Sequence, residues 1–382
     1  MILYNCVIFT MNDQKTVIEN GYIEIDLGKI KKIGEGMPEN ITDEDIDLSG
    51  MCVYPGFIDL HTHMGLMNSG VGVEGEDFNE DSDPVTPQLN VIDAINPMDI
   101  TFTEASNAGV TTVAVAPGST NTIAGNVVAI KTLGKRVDSM VLKEIGVKFA
   151  LGENPKMTYL NKDEAPVTRM AIASLIRETL TKAVKYKNQL LKAKTDEDTD
   201  EPDFDAKLEA LIPLLNGETK AHFHCHSASD IFTALRISKE FGIKPVLIHC
   251  TEGHLIADEI TGCEAVIGPI ISDRSKPELK YVSLENARIL TENKCRVAVC
   301  TDHSEVPIQY LPISAGLTMR GGLTHYNALE TITCTPAKIG GIYDRVGSIE
   351  EGKDADLCVF SENPLELLSE PQMVFINGRK IR

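Results

Sequence analysis

Short hydrophobic runs separated by turn residues mark both ends of this 382-residue sequence. The runs are 7–9, 22–25 and 29–33 near the start, and 356–360 and 373–376 near the end. Brief apolar or alternating runs bounded by Asn, Asp and Gly predict β-strands. Asn377-Gly378 is a favoured hairpin turn, so 373–382 is predicted to form two strands. We therefore expect one small β-sandwich domain built from residues 1–54 and 345–382.

The middle of the sequence alternates strand-like and helix-like segments, which is the pattern of a parallel α/β fold. The predicted strands are 56–62, 110–116, 126–132, 145–151, 220–226, 245–250, 265–270 and 297–302. The helical segments include 103–108, 230–241, 253–260 and 284–292. Eight strands are the number that closes a TIM barrel, so we predict a (β/α)8 barrel over residues 55–344 rather than an open doubly wound sheet.

A long insertion separates the fourth predicted strand from the fifth. Residues 165–192 have the periodicity of a long helix, an acidic segment follows, and a second helical pattern continues through Leu215. Loops that follow barrel strands emerge on the catalytic face, so the helical insertion at about 165–215 is predicted to be a lid. The alternative is a peripheral insertion or a contact between subunits. Under the lid hypothesis, Arg169 touches the substrate as the lid closes.

Histidine residues concentrate at the carboxyl ends of the predicted strands. Side chains alternate along a strand, so His61 and His63 point the same way at the end of the first one. His249 ends the sixth strand, and seven of the nine histidines lie at or directly after strand ends. Scattered core histidines would not segregate in this way. Because converging imidazole nitrogens are typical ligands of transition metals, the pattern predicts a metal site.

The composition narrows the possible classes of partner. The formal net charge of −20 disfavours nucleic acid and anionic membranes, because both are polyanions. No apolar run approaches the roughly 18 residues of a membrane span, and the first residues lack a signal peptide's basic start. The nine cysteines are spread singly and do not suggest a disulfide framework. We expect a cytoplasmic protein that acts on a small molecule, and the sequence leaves homo-oligomerisation open.

Three segments carry a resemblance to a known enzyme family. Residues 55–63, Pro-Gly-Phe-Ile-Asp-Leu-His-Thr-His, resemble the first metal motif of the amidohydrolase superfamily. Residues 346–357 are similar to that superfamily's C-terminal return, and residues 333–338 to its last helix. The resemblance covers the whole chain and is closest to the imidazolonepropionase-related and peptidase-like amidohydrolases. It implies metal-dependent hydrolysis of a C–N bond in a cyclic amide, an N-acyl amino acid or a dipeptide-like substrate.

The resemblance also implies roles for individual residues. His61, His63 and Asp302 would bind one divalent ion, and His224 and His249 would bind a second. The ions would be zinc, or else manganese or iron, and would activate water while Asp302 acts as general base and then acid. Lys148, in the fourth strand, would be carbamylated and bridge both ions, because a free ammonium there would be electrostatically untenable. Glu153 is the alternative bridge.

The fifth strand leaves the choice of ligand open, because His222, His224 and His226 all face one side of it. The family's arrangement favours His224 as the ligand and His226 as a catalytic, substrate-facing hydrogen-bond donor. His222 lies roughly 6.6 Å deeper at about 3.3 Å per residue, so we interpret it as a packed residue.

Two other functions compete with a binuclear amide hydrolase. A mononuclear imidazolonepropionase- or deaminase-type enzyme is disfavoured, because deaminases of the superfamily carry a Glu just beyond the strand-five His, where this chain has Ser227. A non-catalytic hydantoinase-like scaffold would lack ligands, whereas every expected ligand position is filled here.

Cations that follow the predicted strands are the only hints to the substrate. They are Lys131, Lys156, Arg169, Arg274 and Lys276. Arg169 and Arg274 are the predicted substrate-binding residues, since a planar guanidinium pairs well with a carboxylate.

Overall fold

The computed structural model describes residues 1–196 and 198–382, so Glu197, in the predicted insertion, lies outside the described residues. The strands are β1 (Ile2–Phe9), β2 (Val17–Asp26), β3 (Lys29–Glu35), β4 (Ile46–Asp47), β5 (Cys52–Pro55), β6 (Phe57–Thr62), β7 (Val110–Val115), β8 (Ile123–Lys131), β9 (Val141–Ala150), β10 (Lys220–Cys225), β11 (Pro245–His249), β12 (Glu264–Ile267), β13 (Arg296–Val299), β14 (Leu357–Phe360), β15 (Met373–Ile376) and β16 (Arg379–Lys380). The helices are α1 (Ile100–Asn107), α2 (Glu153–Leu160), α3 (Arg169–Ala193), α4 (Ala206–Glu209), α5 (Ile212–Leu215), α6 (Ala228–Phe241), α7 (Asn286–Glu292), α8 (Leu311–Thr318), α9 (His325–Glu330) and α10 (Cys334–Gly340).

Strands from both ends of the sequence belong to one eight-stranded sheet, in the order β16-β15-β14-β5-β1-β2-β3 with β4 beside β1. Strand β5 joins the two ends, because it pairs parallel with β1 and antiparallel with β14. Asn377 and Gly378 adopt φ values of 50° and 72° in the turn between β15 and β16, as their sequence predicted. The division of the chain at residues 54 and 345 into a separate sandwich domain stays a prediction.

The middle of the chain forms a second eight-stranded sheet, in the order β13-β12-β11-β10-β9-β8-β7-β6. Its edge strands β6 and β13 meet through two sets of hydrogen bonds. The His63 N–H donates to the His303 carbonyl over 2.7 Å. The Asp59 carboxylate accepts from the Thr301 N–H and hydroxyl at 2.9 and 2.6 Å. These contacts close the sheet into a TIM-barrel-type fold.

One strand departs from the predicted (β/α)8 layout. Strand β8 pairs antiparallel with both β7 and β9, whereas the other neighbours in this sheet are parallel. Only residues 116–122 connect β7 to β8. A parallel crossover needs about a dozen residues or more, so this short connection forces the chain to turn back. The reversal carries Lys131, at the end of β8, to the start of β7 and away from the strand ends that bear the histidines.

The inside of the barrel is an apolar cluster. Alternate residues of the strands, among them Ile58, Leu60 and Ile248, pack there against residues 337–346. Lys220, at the start of β10, donates to the Ile339 carbonyl over 2.8 Å, so residues 337–346 plug the end where the parallel strands begin. We call this the lower end of the barrel, and the end where the parallel strands finish the upper end.

The predicted lid is an outer helix of the barrel. Helix α3 buries Ile172, Ile176, Leu180 and Ala183, which recur at helical spacing. They belong to the large core cluster that the outer helices form with the outward-facing residues of the barrel strands. It packs against α6 and the short helices α4 and α5. The lid prediction is therefore wrong, because an apolar stripe fixes this helix to its neighbours.

The predicted helix over 253–260 is also absent, and only a short 3-10 turn, Gly253–Leu255, forms there. A glycine at its start and the acidic Asp258 and Glu259 near its end both disfavour a longer helix. In the described part of the chain, no helix combines the length and hydropathy that crossing a membrane requires.

Candidate metal centre

His61, His63 and Asp302 meet at the upper end of the barrel, and we call them the first cluster. Asp302 Oδ1 lies 3.3 Å from His61 Nε2 and 3.5 Å from His63 Nε2. His63 Nδ1 donates to the Ala116 carbonyl at 2.8 Å, which leaves a lone pair on Nε2. Asp302 has a φ of 54°, a left-handed conformation that is uncommon among non-glycine residues.

His224, His226 and His249 form a second cluster beside the first. The partners of their Nδ1 atoms are Ser119 Oγ at 2.9 Å for His224, Thr251 Oγ1 at 2.7 Å for His226 and the Gly268 carbonyl at 2.7 Å for His249. Partners of this kind fix the ring orientation of histidines that bind metals through Nε2. His249 also has a positive φ, 69°.

Lys148 lies where the two clusters adjoin. Its Nζ atom is 3.4 Å from His61 Nε2, and the rings of His61 and His249 are centred 5.4 Å apart. Burial lowers the pKa of Lys148 to about 8. Among the described residues, no carboxylate forms an ion pair with this amine. A buried ammonium without an anionic partner is unfavourable, so the site favours a neutral or chemically modified amine.

The converging side-chain atoms fit divalent metal ions. His224 Nε2, His226 Nε2 and Asp302 Oδ1 are buried and have no hydrogen-bond partner in the described part of the chain. Burial lowers the pKa values of His224 and His226 well below the ordinary value, so both rings are neutral, as metal ligands must be. Although burial alone would raise it, His249, His61 and His63 hold the pKa of Asp302 well below its usual value.

The spacing of the ligand atoms also suits an ion. Zinc–ligand bonds of about 2.0 Å at a tetrahedral angle place neighbouring ligand atoms roughly 3.3 Å apart. The two distances from Asp302 in the first cluster are 3.3 and 3.5 Å. The site therefore offers a carboxylate and two imidazoles on one side and three imidazoles on the other.

A cavity of about 510 Å³ opens over both clusters. Its polar uncharged lining residues include Asn79, Ser119, Thr120, Asn154, Thr158 and Asn161. Its larger apolar lining residues are Met67, Phe78, Met157 and Leu279. Lys276 is the one lysine or arginine among the described lining residues. The size and lining suit a small polar molecule.

Two further predicted residues lie at or below the clusters. Glu153 lines the cavity but belongs to neither cluster, and its backbone N–H donates to Glu278 Oε2 at 3.1 Å. His222 is fully buried and pairs in register with Lys148, one layer below the second cluster. Burial lowers the pKa of His222 to about 3. Its position agrees with its interpretation as a packed residue.

The predicted substrate-binding arginines lie outside the cavity that contains the clusters. Arg169 Nε donates to both Asp230 carboxylate oxygens at 3.1 Å and lines a separate cavity beside α3 and α6. Arg274 is exposed and donates to the Lys280 and Val282 carbonyls. Lys131 is buried with Asp354 and Asp356 at the lower end, because β8 runs antiparallel. Of the five predicted cations, Lys276 alone lines the cavity.

One buried carboxylate at the site was not predicted from the sequence. Glu278 Oε1 lies 3.6 Å from His226 Nε2 and 3.9 Å from His224 Nε2. It belongs to a short 3-10 turn, Pro277–Leu279, rather than to a strand end. The pattern of polar residues at strand ends therefore does not indicate it. Ser119 and Thr251 were also missed, because small hydroxyl residues in turns have no distinctive sequence pattern.

The same arrangement can be compared with known proteins. Residues 52–381 match the model of the Amidohydrolase family. The crystal structure of an amidohydrolase from Thermotoga maritima MSB8 has a TM-score of 0.95 and 35% identity, covering 100% of this chain and 99% of that one.

Two curated relatives match this chain over only part of their own length. Amidohydrolase tasK from Hapsidospora irregularis is 27% identical over 393 residues, which cover 94% of this chain and 39% of tasK. A 5-methylthioadenosine/S-adenosylhomocysteine deaminase from Bacillus thuringiensis (strain Al Hakam) is 45% identical over 72 residues, 18% of this chain and 16% of the deaminase. This chain therefore matches less than half of the length of either curated relative.

Proposed function

Because this chain belongs to the amidohydrolase family, whose members hydrolyse C–N bonds, we propose that it is a binuclear metal-dependent hydrolase of small amides. The observation that carries the proposal is the pair of adjoining clusters, whose buried nitrogen and oxygen atoms lack hydrogen-bond partners among the described residues. The substrate classes are a cyclic amide, an N-acyl amino acid or a dipeptide-like molecule.

In this proposal, His61, His63 and Asp302 hold the first ion, and His224, His226 and His249 hold the second. The position of His226 supports a ligand role over the substrate-facing role expected from the sequence, because one of its ring nitrogens lies within 4.8 Å of a ring nitrogen of His224 and of His249. Lys148, as a carbamate formed from carbon dioxide with loss of a proton, would help to hold both ions. Its amine stands between the clusters, and burial favours the neutral form that reacts with carbon dioxide.

The chain's own groups then handle the proton. When bound, the ions would lower the pKa of a coordinated water from 15.7 to about 7 and polarise the substrate carbonyl. Asp302 faces the cavity and is ionised, so it accepts the proton released from water and delivers it to the departing nitrogen. The Ala116 and Gly268 carbonyls keep His63 and His249 in the tautomer that leaves Nε2 free.

A mononuclear aminohydrolase is the second candidate, and the local match to a deaminase favours it. It would use one ion and release ammonia from a ring amine. The presence of a second three-ligand cluster and of Lys148 between the clusters favours two ions instead.

Elemental analysis of protein purified without chelator separates the functions. We expect zinc, manganese or iron close to two ions per chain, and zinc-loaded protein should hydrolyse members of a panel of N-acyl amino acids, dipeptides and cyclic ureides. A value near one with ammonia release from 5-methylthioadenosine would support the aminohydrolase. Protein without bound metal and without activity would support a non-catalytic scaffold.

A further inference from the structure

Glu278 is a buried carboxylate that the functional proposal does not use. Its side chain is 2% exposed, and its Oε1 atom has no hydrogen-bond partner in the described part of the chain. The nearest atoms of the second cluster are His226 Nε2 at 3.6 Å and His224 Nε2 at 3.9 Å, and these nitrogens are unpartnered as well. When the Nδ1 atoms of His224 and His226 donate to Ser119 and Thr251, both Nε2 atoms are acceptors, and a cation shared with Oε1 would satisfy all three.

We propose that Glu278 is a fourth protein ligand of the second ion, beside His224, His226 and His249, an inference that rests on the binuclear site proposed above. Zinc bonds of about 2.0–2.2 Å to oxygen and nitrogen give neighbouring ligand atoms separations of roughly 3.3–3.5 Å in a tetrahedral site. The distances of 3.6 and 3.9 Å exceed these by a few tenths of an ångström. Glu278 approaches from the side of His224 and His226.

The other oxygen of Glu278 is held in place. Oε2 accepts from the Glu153 N–H at 3.1 Å, and Gly152 packs so closely that a Cβ there would lie 2.9 Å from Oε2. One oxygen is thus fixed by the backbone and the other is free. This is the arrangement of a monodentate ligand that is oriented before the ion binds.

Lys276 forms an ion pair with Glu278, but this pair accounts for neither of the unpartnered ring nitrogens of His224 and His226. The Lys276 ammonium is 3.0 Å from Oε1 and also donates a hydrogen bond to Asn154 Oδ1 at 2.9 Å. The second cluster consists of three neutral rings, so a dication there gains a compensating negative charge from Glu278.

The direct test is the structure of the zinc-loaded wild-type protein. An ion within about 2.2 Å of Glu278 Oε1 and of His224 Nε2 would support the proposal. A second ion bound more than about 3 Å from Oε1 would overturn the ligand role and leave the proposed function intact. Protein with no ion in the second cluster would overturn both.

Metal affinity gives an independent readout. In competition with a chelator, followed by elemental analysis, Glu278→Gln should bind the second ion about 100-fold more weakly, because the amide oxygen can still coordinate but no longer gives the three neutral rings a negative charge. The first ion should be retained. Glu305→Gln is the matched control, since Glu305 lines the same cavity, its side chain belongs to neither cluster, and its backbone N–H bond to the Asp302 carbonyl at 2.8 Å is kept in the variant. Wild-type affinity in Glu278→Gln would contradict the proposal.

A double variant separates a ligand from a partner of Lys276. If Glu278 only neutralised Lys276, then Lys276→Met combined with Glu278→Gln would restore binding of the second ion. A ligand role predicts that the double variant stays deficient. Circular dichroism shows whether Glu278→Gln folds. If it does not, the double variant and the zinc-loaded wild-type structure still test whether Glu278 is a ligand.

Discussion

The two ends of the barrel both bury charged and polar side chains, but they satisfy them in different ways. At the lower end, Lys131 Nζ lies 3.0 Å from Asp354 and 2.5 Å from Asp356, and Arg345 donates to Asp354 at 2.8 Å. At the upper end, Nε2 of His224, Nε2 of His226 and Oδ1 of Asp302 have no hydrogen-bond partner among the described residues.

This contrast suggests that the lower end matters for the stability of the protein and the upper end for its function. A buried polar group without a partner destabilises the folded protein, whereas a paired one does not. The buried charges of the lower end are thus satisfied within the chain, whereas the proposed ions would satisfy the unpartnered atoms of the upper end. Changes at the two ends should thus affect different measurements.

The largest effect on activity is expected at the upper end from Asp302→Asn. The amide oxygen can still coordinate an ion, so metal content should stay near that of the wild type. Loss of the proton acceptor should lower kcat by about 10²–10⁴-fold. Steady-state kinetics on zinc-loaded protein measure this, and a kcat within threefold of the wild type would rule out the acid–base role.

Lys148→Ala should lose one ion and most activity, because the proposed bridge is removed. Short carboxylic acids added at millimolar concentration should restore part of the activity by replacing the carbamate. Glu153→Ala is the matched comparison and should keep both ions. The opposite result, with one ion lost only from Glu153→Ala, would identify Glu153 as the bridge.

At the lower end, Lys131→Met should destabilise the protein by about 3–5 kcal/mol, since it leaves the buried Asp356 carboxylate without its cation, whereas Asp354 keeps Arg345. Metal content should be unchanged, because Lys131 lies at the opposite end of the barrel from the clusters. Urea unfolding followed by circular dichroism, with elemental analysis of the same samples, tests both statements. A loss of metal without a loss of stability would reverse the comparison between the two ends.

Acid should weaken the lower end in a defined range of pH. Although burial alone would raise it, Arg345, Lys131 and Lys29 lower the pKa of Asp354 from 3.8 to about 2. A group with a depressed folded-state pKa contributes stability above its unfolded value and loses it as pH falls through the folded value. The difference in unfolding free energy between wild type and Asp354→Asn should therefore shrink from about pH 4 to pH 2. A constant difference would contradict this.

The smallest effect on activity is expected from Arg169→Ala, which removes an ion pair between the half-exposed Arg169 and the buried Asp230 on the outside of the barrel. The unfolding free energy should fall by about 1–3 kcal/mol, because Asp230 loses its cation but keeps the Ser227 hydroxyl. Because Arg169 does not line the cavity over the clusters, kcat/KM should stay within twofold of the wild type. A tenfold fall in kcat/KM would show that α3 reaches the substrate after all.

The strands and the convergence of the clustered side chains could be predicted from the sequence, because both follow from local patterns. His61, His63, His224, His249 and Asp302 lie at strand ends, and the barrel brings these ends together. The direction of β8 was missed although the short connection 116–122 determines it.

Glu278 and Arg169 illustrate what sequence patterns leave out. Glu278 reaches the site from an irregular turn, and its neighbours become known only when the turn is placed against β10. Arg169 follows a strand that leads to the catalytic face, but the apolar stripe of α3 holds it outside. Side-chain partners that come from distant segments depend on the assembled fold.

The pairing of β5 with β14 has a consequence for the order in which the protein can be completed during synthesis. Strand β5 is made early, whereas its partner, Leu357–Phe360, leaves the ribosome only after the whole barrel segment. Until then, one edge of β5 has unpaired backbone groups that can recruit strands from other chains. Slow or crowded production should therefore favour aggregation through this edge, and chaperones that shield nascent strands should raise the soluble yield.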